Sequence, residues 1–185
     1  MPLQKSGPIS FSQISKEFRR SSVNIDLEAY RRLAGIVKDI PTNEQVPTTN
    51  PIGMKNMYDS RYYYMKVSFT IVGESPAMEV YGGYGHNYGY AYVRRGDGAV
   101  NVTVEGVSNN YAVTLVGRST IFLTANGTAR IRNIASDNYT VIVSDVTNRT
   151  NYSFKARVGY GYGASNYVKD DTNQSLILGQ TYTIG

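Results

Sequence analysis

A single histidine, His86, and no cysteine at all limit what this 185-residue chain could catalyse. Without thiols there is no disulfide framework, thiolate zinc site, iron–sulfur cluster or cysteine nucleophile. One imidazole excludes a His-rich metal site, and a serine triad would have to recruit His86 from a loop of glycine and tyrosine. Carboxylates are the remaining catalytic type. Glu79, Asp97, Glu105, Asp145, Asp170 and Asp171 could act in pairs on a glycosidic bond if the fold brought two together, but no local spacing favours it. Asp170-Asp171-Thr172-Asn173 offers oxygen ligands of the kind calcium takes, a composition that acidic turns without metal share. The glycines around Gly83, Gly85 and Gly89 miss the dinucleotide spacing, and no Gly-Lys-Ser/Thr occurs. Arg95-Gly96-Asp97 falls where a tight turn between two strands is expected, and we read it as that turn. The residue inventory therefore predicts a non-enzymatic protein with no cofactor and no metal.

Recognition chemistry is better represented. The chain has 17 Tyr, 18 Gly and no Trp, and two segments, 81–92 and 159–167, alternate Gly with Tyr. Gly opens backbone conformations closed to other residues, while Tyr supplies a flat ring and a hydroxyl at low rotamer cost. If exposed, Tyr81, Tyr84, His86, Tyr88, Tyr160 and Tyr162 would make a recognition loop for a host-surface glycan or a partner protein. If folded in, alternate Tyr side chains would line one strand face, with Gly opposite admitting a second sheet or subunit. Both readings stand at this level.

The net charge of +5 is dispersed, with eight bases and six acids in the first sixty residues and eleven and eight in the remainder. Arg19-Arg20, Arg31-Arg32 and Arg94-Arg95 would bind nucleic acid only if the fold gathered them; solvated faces are the simpler reading, and a nucleic-acid partner is not expected. No apolar run approaches the ~18 residues of a membrane span, and the opening Met-Pro-Leu-Gln-Lys-Ser-Gly-Pro lacks the apolar core of a signal peptide, so membrane insertion is not expected.

Two grammars divide the chain. Residues 1–60 are short punctuated units in which an Ile is followed two and five positions later by another apolar residue: Ile9, Phe11 and Ile14; Ile25, Leu27 and Tyr30; Ile52, Met54 and Met57. An extended step followed by a helical step suits a chain entering a short helix around a cap. Ser10 with Gln13 predicts a capping box, and Asp26 predicts the cap of a second helix running to Leu33. Such short helices are marginal alone and need a surface to pack on. Residues 38–50, polar and rich in proline, read as an extended connector. Ser6-Gly7-Pro8-Ile9-Ser10-Phe11-Ser12-Gln13-Ile14 resembles the opening of tailed-bacteriophage virion proteins, in which a similar phrase returns after a proline-bearing spacer near a Tyr. Here the return is Asn50-Pro51-Ile52-Gly53-Met54-Lys55-Asn56-Met57-Tyr58, with Gly53 and Lys55 in place of serines. The resemblance implies a virion location, other virion proteins as partners, a homo-oligomer, and docking through the nine apolar residues above; read on their own, the same triplets also fit the apolar face of a small helical subdomain folding onto the β-domain, and both readings stand at this level. It leaves tail, neck, fibre and capsid decoration open, beside an adhesin module that uses the Gly-Tyr loops.

Residues 61–185 read as strands and turns. Val100, Val102 and Val104 alternate with Asn101, Thr103 and Glu105, the period of a strand with one buried face. Strands are expected over 62–72, 88–93, 99–107, 111–116, 120–124, 128–134, 139–144, 151–158, 176–178 and 181–184, with Asn126-Gly127 as a type I′ hairpin turn. That number without a convincing helix predicts a mainly β protein, a β-sandwich of immunoglobulin-like or jelly-roll type preceded by an arm of short helices, with a barrel as the alternative. The segment 131–143, with Tyr139-Thr140-Val141 after a polar turn, resembles a strand-turn-strand phrase of extracellular and virion sandwich modules, which implies the architecture only.

Overall fold

The computed structural model describes residues 3–20, 26–32, 36–49, 51–81, 89–161 and 164–184, with side chains at all of these except 77–81 and 89–94. Alternation writes the sheets. In β4 (Gly98–Gly106), Val100, Val102 and Val104 are fully buried while Asn101, Thr103 and Glu105 reach solvent. β4 lies antiparallel between β1 (Met65–Val72) and β7 (Gly127–Ile134), and β12 (Tyr182–Ile184) flanks β1, giving a sheet ordered β12-β1-β4-β7. The second sheet uses β5 (Tyr111–Leu115), β6 (Ser119–Leu123), β8 (Asp137–Asp145), β9 (Thr150–Val158), β10 (Tyr167–Lys169) and β11 (Ser175–Leu176). Its order is β11-β10-β9-β8-β5-β6. β2 (Pro76–Tyr81) and β3 (Gly89–Arg94) form a separate hairpin inserted between β1 and β4.

The two sheets pack face to face as a sandwich. Phe69 of one meets Phe154 of the other with ring centroids 4.8 Å apart, and Val113, Leu115, Val141, Val143, Ala156 and Val158 fill the layer beside them. Each such aliphatic or aromatic side chain contributes roughly 1.5–3 kcal/mol by leaving water. The connectivity decides between the two predicted sandwich types. β1, β4 and β7 sit as strands A, B and E, and β9, β8, β5 and β6 sit as G, F, C and C′, which is the immunoglobulin-like order. The corner between β7 and β8 carries the matching device: the Tyr139 hydroxyl, near the start of β8, donates to the Ala135 carbonyl at 2.8 Å.

Two sequence expectations fail locally. Asn126-Gly127 is not a hairpin turn: β6 pairs with β5 and β7 with β4, and neither residue takes the positive φ of a type I′ turn. The pair carries the chain from one sheet to the other, with Asn126 Oδ1 accepting from the Gly106 N–H at 3.1 Å. Within the expected connector 38–50, the described residues 38–49 are not an extended connector either. Ile40 is buried in the sandwich core, Val46 is buried in a second, smaller core, and Pro41–Asn43 forms a 3-10 turn between them. β2 and β10 went unpredicted, the first because Pro76 opens it and the second because it is three residues long.

The smaller core belongs to the N-terminal region. Helix α1 (Phe11–Glu17) opens on the predicted Ser10/Gln13 capping box, and Asp26 caps a 3-10 turn, Leu27–Tyr30, that stops at Arg31 before the predicted end of the helix. Leu3, Ile14, Phe18, Tyr30, Val37, Val46 and Met57 form its interior. Phe11 and Phe18 meet the Tyr30 ring edge-on at 5.8 and 5.7 Å, and the Tyr30 hydroxyl pairs with Ser15 at 3.1 Å.

Replacing Tyr139 by Phe removes the corner hydrogen bond and should lower unfolding free energy by about 1 kcal/mol in urea titrations, leaving the fold intact. Burial, with the nearby Asp145 carboxylate adding to it, pushes the Tyr111 phenol from 10.0 up to about 12, and burial shifts Tyr63 the same way. Above about pH 10 the unfolded chain loses these protons while the folded chain keeps them, so stability is full below that pH and falls as pH rises toward 12. Tyr111→Phe should flatten that alkaline decline, which thermal melts between pH 9 and 12 would measure.

Candidate functional site

Strand β8 is nine residues long, so roughly 30 Å separates the two ends of the sandwich. At one end the backbone crosses itself around Glu74, which is 1 % exposed. Its Oε1 accepts from the Gly96 N–H and its Oε2 from the Ser136 N–H, both at 2.7 Å. Its own N–H donates to the Gly159 carbonyl at 2.7 Å, and its carbonyl accepts from the Gly161 N–H at 2.9 Å, forming a short parallel bridge with Tyr160. One residue thus ties the entrance of the β2–β3 hairpin to its exit, to the β7–β8 corner and to the segment after β9. Asp97 adds a second tie by accepting from the Ser75 N–H at 2.7 Å. Backbones approach so closely that a Cβ at Gly98 would lie 2.7 Å from the Ile134 carbonyl, and one at Gly159 would lie 2.5 Å from Ala164 Cβ.

This knot places the Gly-Tyr segments. Tyr81 ends β2 opposite Gly89 at the last described pair of the hairpin, and Tyr160 of the second segment is held at the hairpin's root. Tyr84, His86, Tyr88 and Tyr162 lie outside the described residues. The described parts of the two segments, distant in sequence, connect to one root at Glu74. At that root Gly73, Glu74, Ser75, Pro76, Gly161 and Asn166 line a cleft of about 230 Å³. Glu74 was missed by sequence reasoning; its only signal is an isolated acid between Gly73 and Ser75-Pro76, just past an apolar strand.

The opposite pole holds the N-terminal region. Asn43, fully buried, accepts from the Arg61 N–H at 3.0 Å and donates to the Lys38 and Arg61 carbonyls. Thr42 donates to Asn148 at 3.0 Å, and Asn148 donates twice to the buried Asp145 carboxylate. Lys38 Nζ donates to the Tyr152 hydroxyl at 3.0 Å and lies 4.7 Å from the Tyr63 ring centre. A groove of about 550 Å³ opens between α1 and the start of β1. On its wall Tyr62 and Tyr64 stack with centroids 6.4 Å apart, and the Arg19 guanidinium covers both rings at 4.8 and 5.4 Å.

Of the apolar residues read as docking contacts, Ile14, Tyr30 and Met57 are fully buried in the small core, and Ile9, Phe11, Leu27 and Ile52 pack against it. Met54 is 37 % exposed, and Ile25 lies outside the described residues. The periodicity marks mostly the inside of this region: its described apolar side chains apart from Met54 serve its own core, and any docking face must come from Met54 and the residues between the triplets. Asp97 and Asp145 stand at opposite poles, too far apart to act as a pair. Hydrogen bonds from the Thr172 hydroxyl and the Gln174 N–H hold the Asp170 carboxyl below its usual range and use one of its oxygens to close a turn. The arginine pairs do not converge: Arg32 binds Asp39 at 2.5 Å and Arg31 the Glu28 carbonyl, while Arg95 sits at the Gly-Tyr pole. Arg95-Gly96-Asp97 leads from the hairpin into β4, joining different sheets.

Glu74→Ala would leave the buried Ser136 N–H and the half-buried Gly96 N–H without their acceptor. It should cost about 3 kcal/mol and speed exchange of those two amide hydrogens while amides in the middle of β8 keep their relative protection. Compared with known proteins, the chain has no significant match to a family model, a curated protein or a solved structure.

Proposed function

We propose that this chain is a virion structural protein of a tailed bacteriophage, associated with the tail, neck or fibre. It is held to neighbouring virion proteins at its N-terminal pole and turns the Gly-Tyr pole toward the next subunit or the outside. The setting comes from the Ser6–Ile14 phrase and its partial return at 50–58. The observation that carries the reading is the two-ended layout: the N-terminal region is clasped to the end of the sandwich where Asp145 and Asn148 lie, and both Gly-Tyr segments are rooted at the other. A protein that bridges an anchoring surface and a distal one needs this separation. A second reading, a receptor- or glycan-binding tip, draws on the Glu74–Tyr160 bridge, which brings two Tyr-bearing segments to one root and so permits a composite surface.

Purified particles should contain the chain in several copies. Met54→Asp, at the exposed member of the apolar set, should reduce its incorporation while leaving its melting temperature within a few degrees of wild type. Absence of the wild-type chain from purified particles refutes the virion reading. For the distal pole, a glycan array with the full chain and with Tyr84→Ala/Tyr162→Ala separates the two uses. Binding lost in the double variant supports recognition, and no binding by either leaves the pole to subunit contact.

A further inference from the structure

Among the described residues the two packed sheets end in four edges: β12, β7, β11 and β6. An open edge is a row of unpaired N–H and C=O groups that templates another strand, and folded proteins blunt such edges. Three of these are blunted. β12 and β11 are three and two residues long. β7 is longer, but Arg130 and Arg132 are exposed along it, and Asn133 at φ 57° breaks its extended run. β6 has none of these devices within its own residues, and β7 runs near it without pairing to it. The five residues of β6, Ser-Thr-Ile-Phe-Leu, carry no charge, proline or glycine, and they pair with β5 in unbroken register. Phe122 is 69 % exposed on it, the most exposed large hydrophobic side chain described.

What an open ladder accepts is an extended strand. We propose that β6 pairs antiparallel with β6 of a second copy of this chain, about a two-fold axis at Ile121, joining the two six-stranded sheets into one. The strand is complementary to itself in this register. Ser119 faces Leu123 of the second copy and Thr120 faces Phe122 of the second copy, so each exposed ring covers a β-branched neighbour. No charge on the strand meets a like charge; Arg118, just outside it, faces Thr124 of the second copy. The same patch serves both subunits, as a closed two-fold dimer requires. A five-residue ladder falls short of the roughly 1,000 Å² of an interface that stands alone. Pairing is therefore concentration-dependent in solution and strengthened wherever copies are held side by side. The inference rests on edge geometry and is independent of the virion setting.

Sedimentation of the full chain from about 1 to 500 μM tests it. The wild type should show a reversible monomer–dimer equilibrium. Phe122→Lys should weaken it about tenfold without lowering the melting temperature, since that side chain stands in solvent. Adding Thr120→Glu to Phe122→Lys should restore association, because position 120 faces position 122 of the second copy. A wild type that stays monomeric throughout, a dimer indifferent to Phe122→Lys, or a double variant no tighter than the single one would each overturn the proposal.

Discussion

Face-to-face burial of two apolar sheet surfaces is the constraint from which the other features of this chain follow. With no cysteine to staple it, the sandwich depends on side chains such as Val102, Phe69 and Phe154 leaving water together. Period-two alternation allows this because every second residue of β4 or β8 points at the opposing sheet, while the intervening ones stay wet. Once the layer forms, its strand ends are fixed in space. Loops that leave those ends acquire positions relative to one another that the sequence order does not suggest.

Polar groups then do what the apolar layer cannot. At each pole a buried side chain satisfies backbone groups that the sheets leave unpaired: Glu74 at one end, Asn43 at the other. Such groups are costly to bury unless fully engaged, and both are engaged on several sides. The consequence is directional. Glu74 sets the root of the Gly-Tyr segments, and Asn43, with Lys38 and Ile40, sets the N-terminal region on the sandwich. The chain is organised as two differently built ends around a packed apolar layer, the arrangement on which the proposed structural role rests.

The free edge of β6 fits the same logic from the opposite direction. Strand ends and three sheet edges are closed by short strands, arginines or loops, so the unblunted edge stands out as a contact surface. A strand that needed only to complete the fold would tolerate a lysine where Phe122 stands in solvent.

By itself the sequence determined the alternating strands, the absence of thiol chemistry, the capping box at Ser10 and the mainly β character, because each depends on near neighbours in the chain. Tertiary structure decided the rest. Asn126-Gly127 has the composition of a hairpin turn, yet the sheet that β7 joins is chosen by β4, a distant strand. The apolar triplets of residues 1–60 were legible as periodicity, but whether they face a partner or their own core depends on Phe18, Val37 and Val46 arriving from elsewhere. The stretch 38–50 looked like a linker because its prolines and polar residues hide two anchors, Ile40 and Val46, that bury in different cores. Glu74 was invisible for the same reason. A buried carboxylate is defined by the N–H groups that meet it, and these come from two segments, at Gly96 and Ser136, that only the folded sandwich brings to one point.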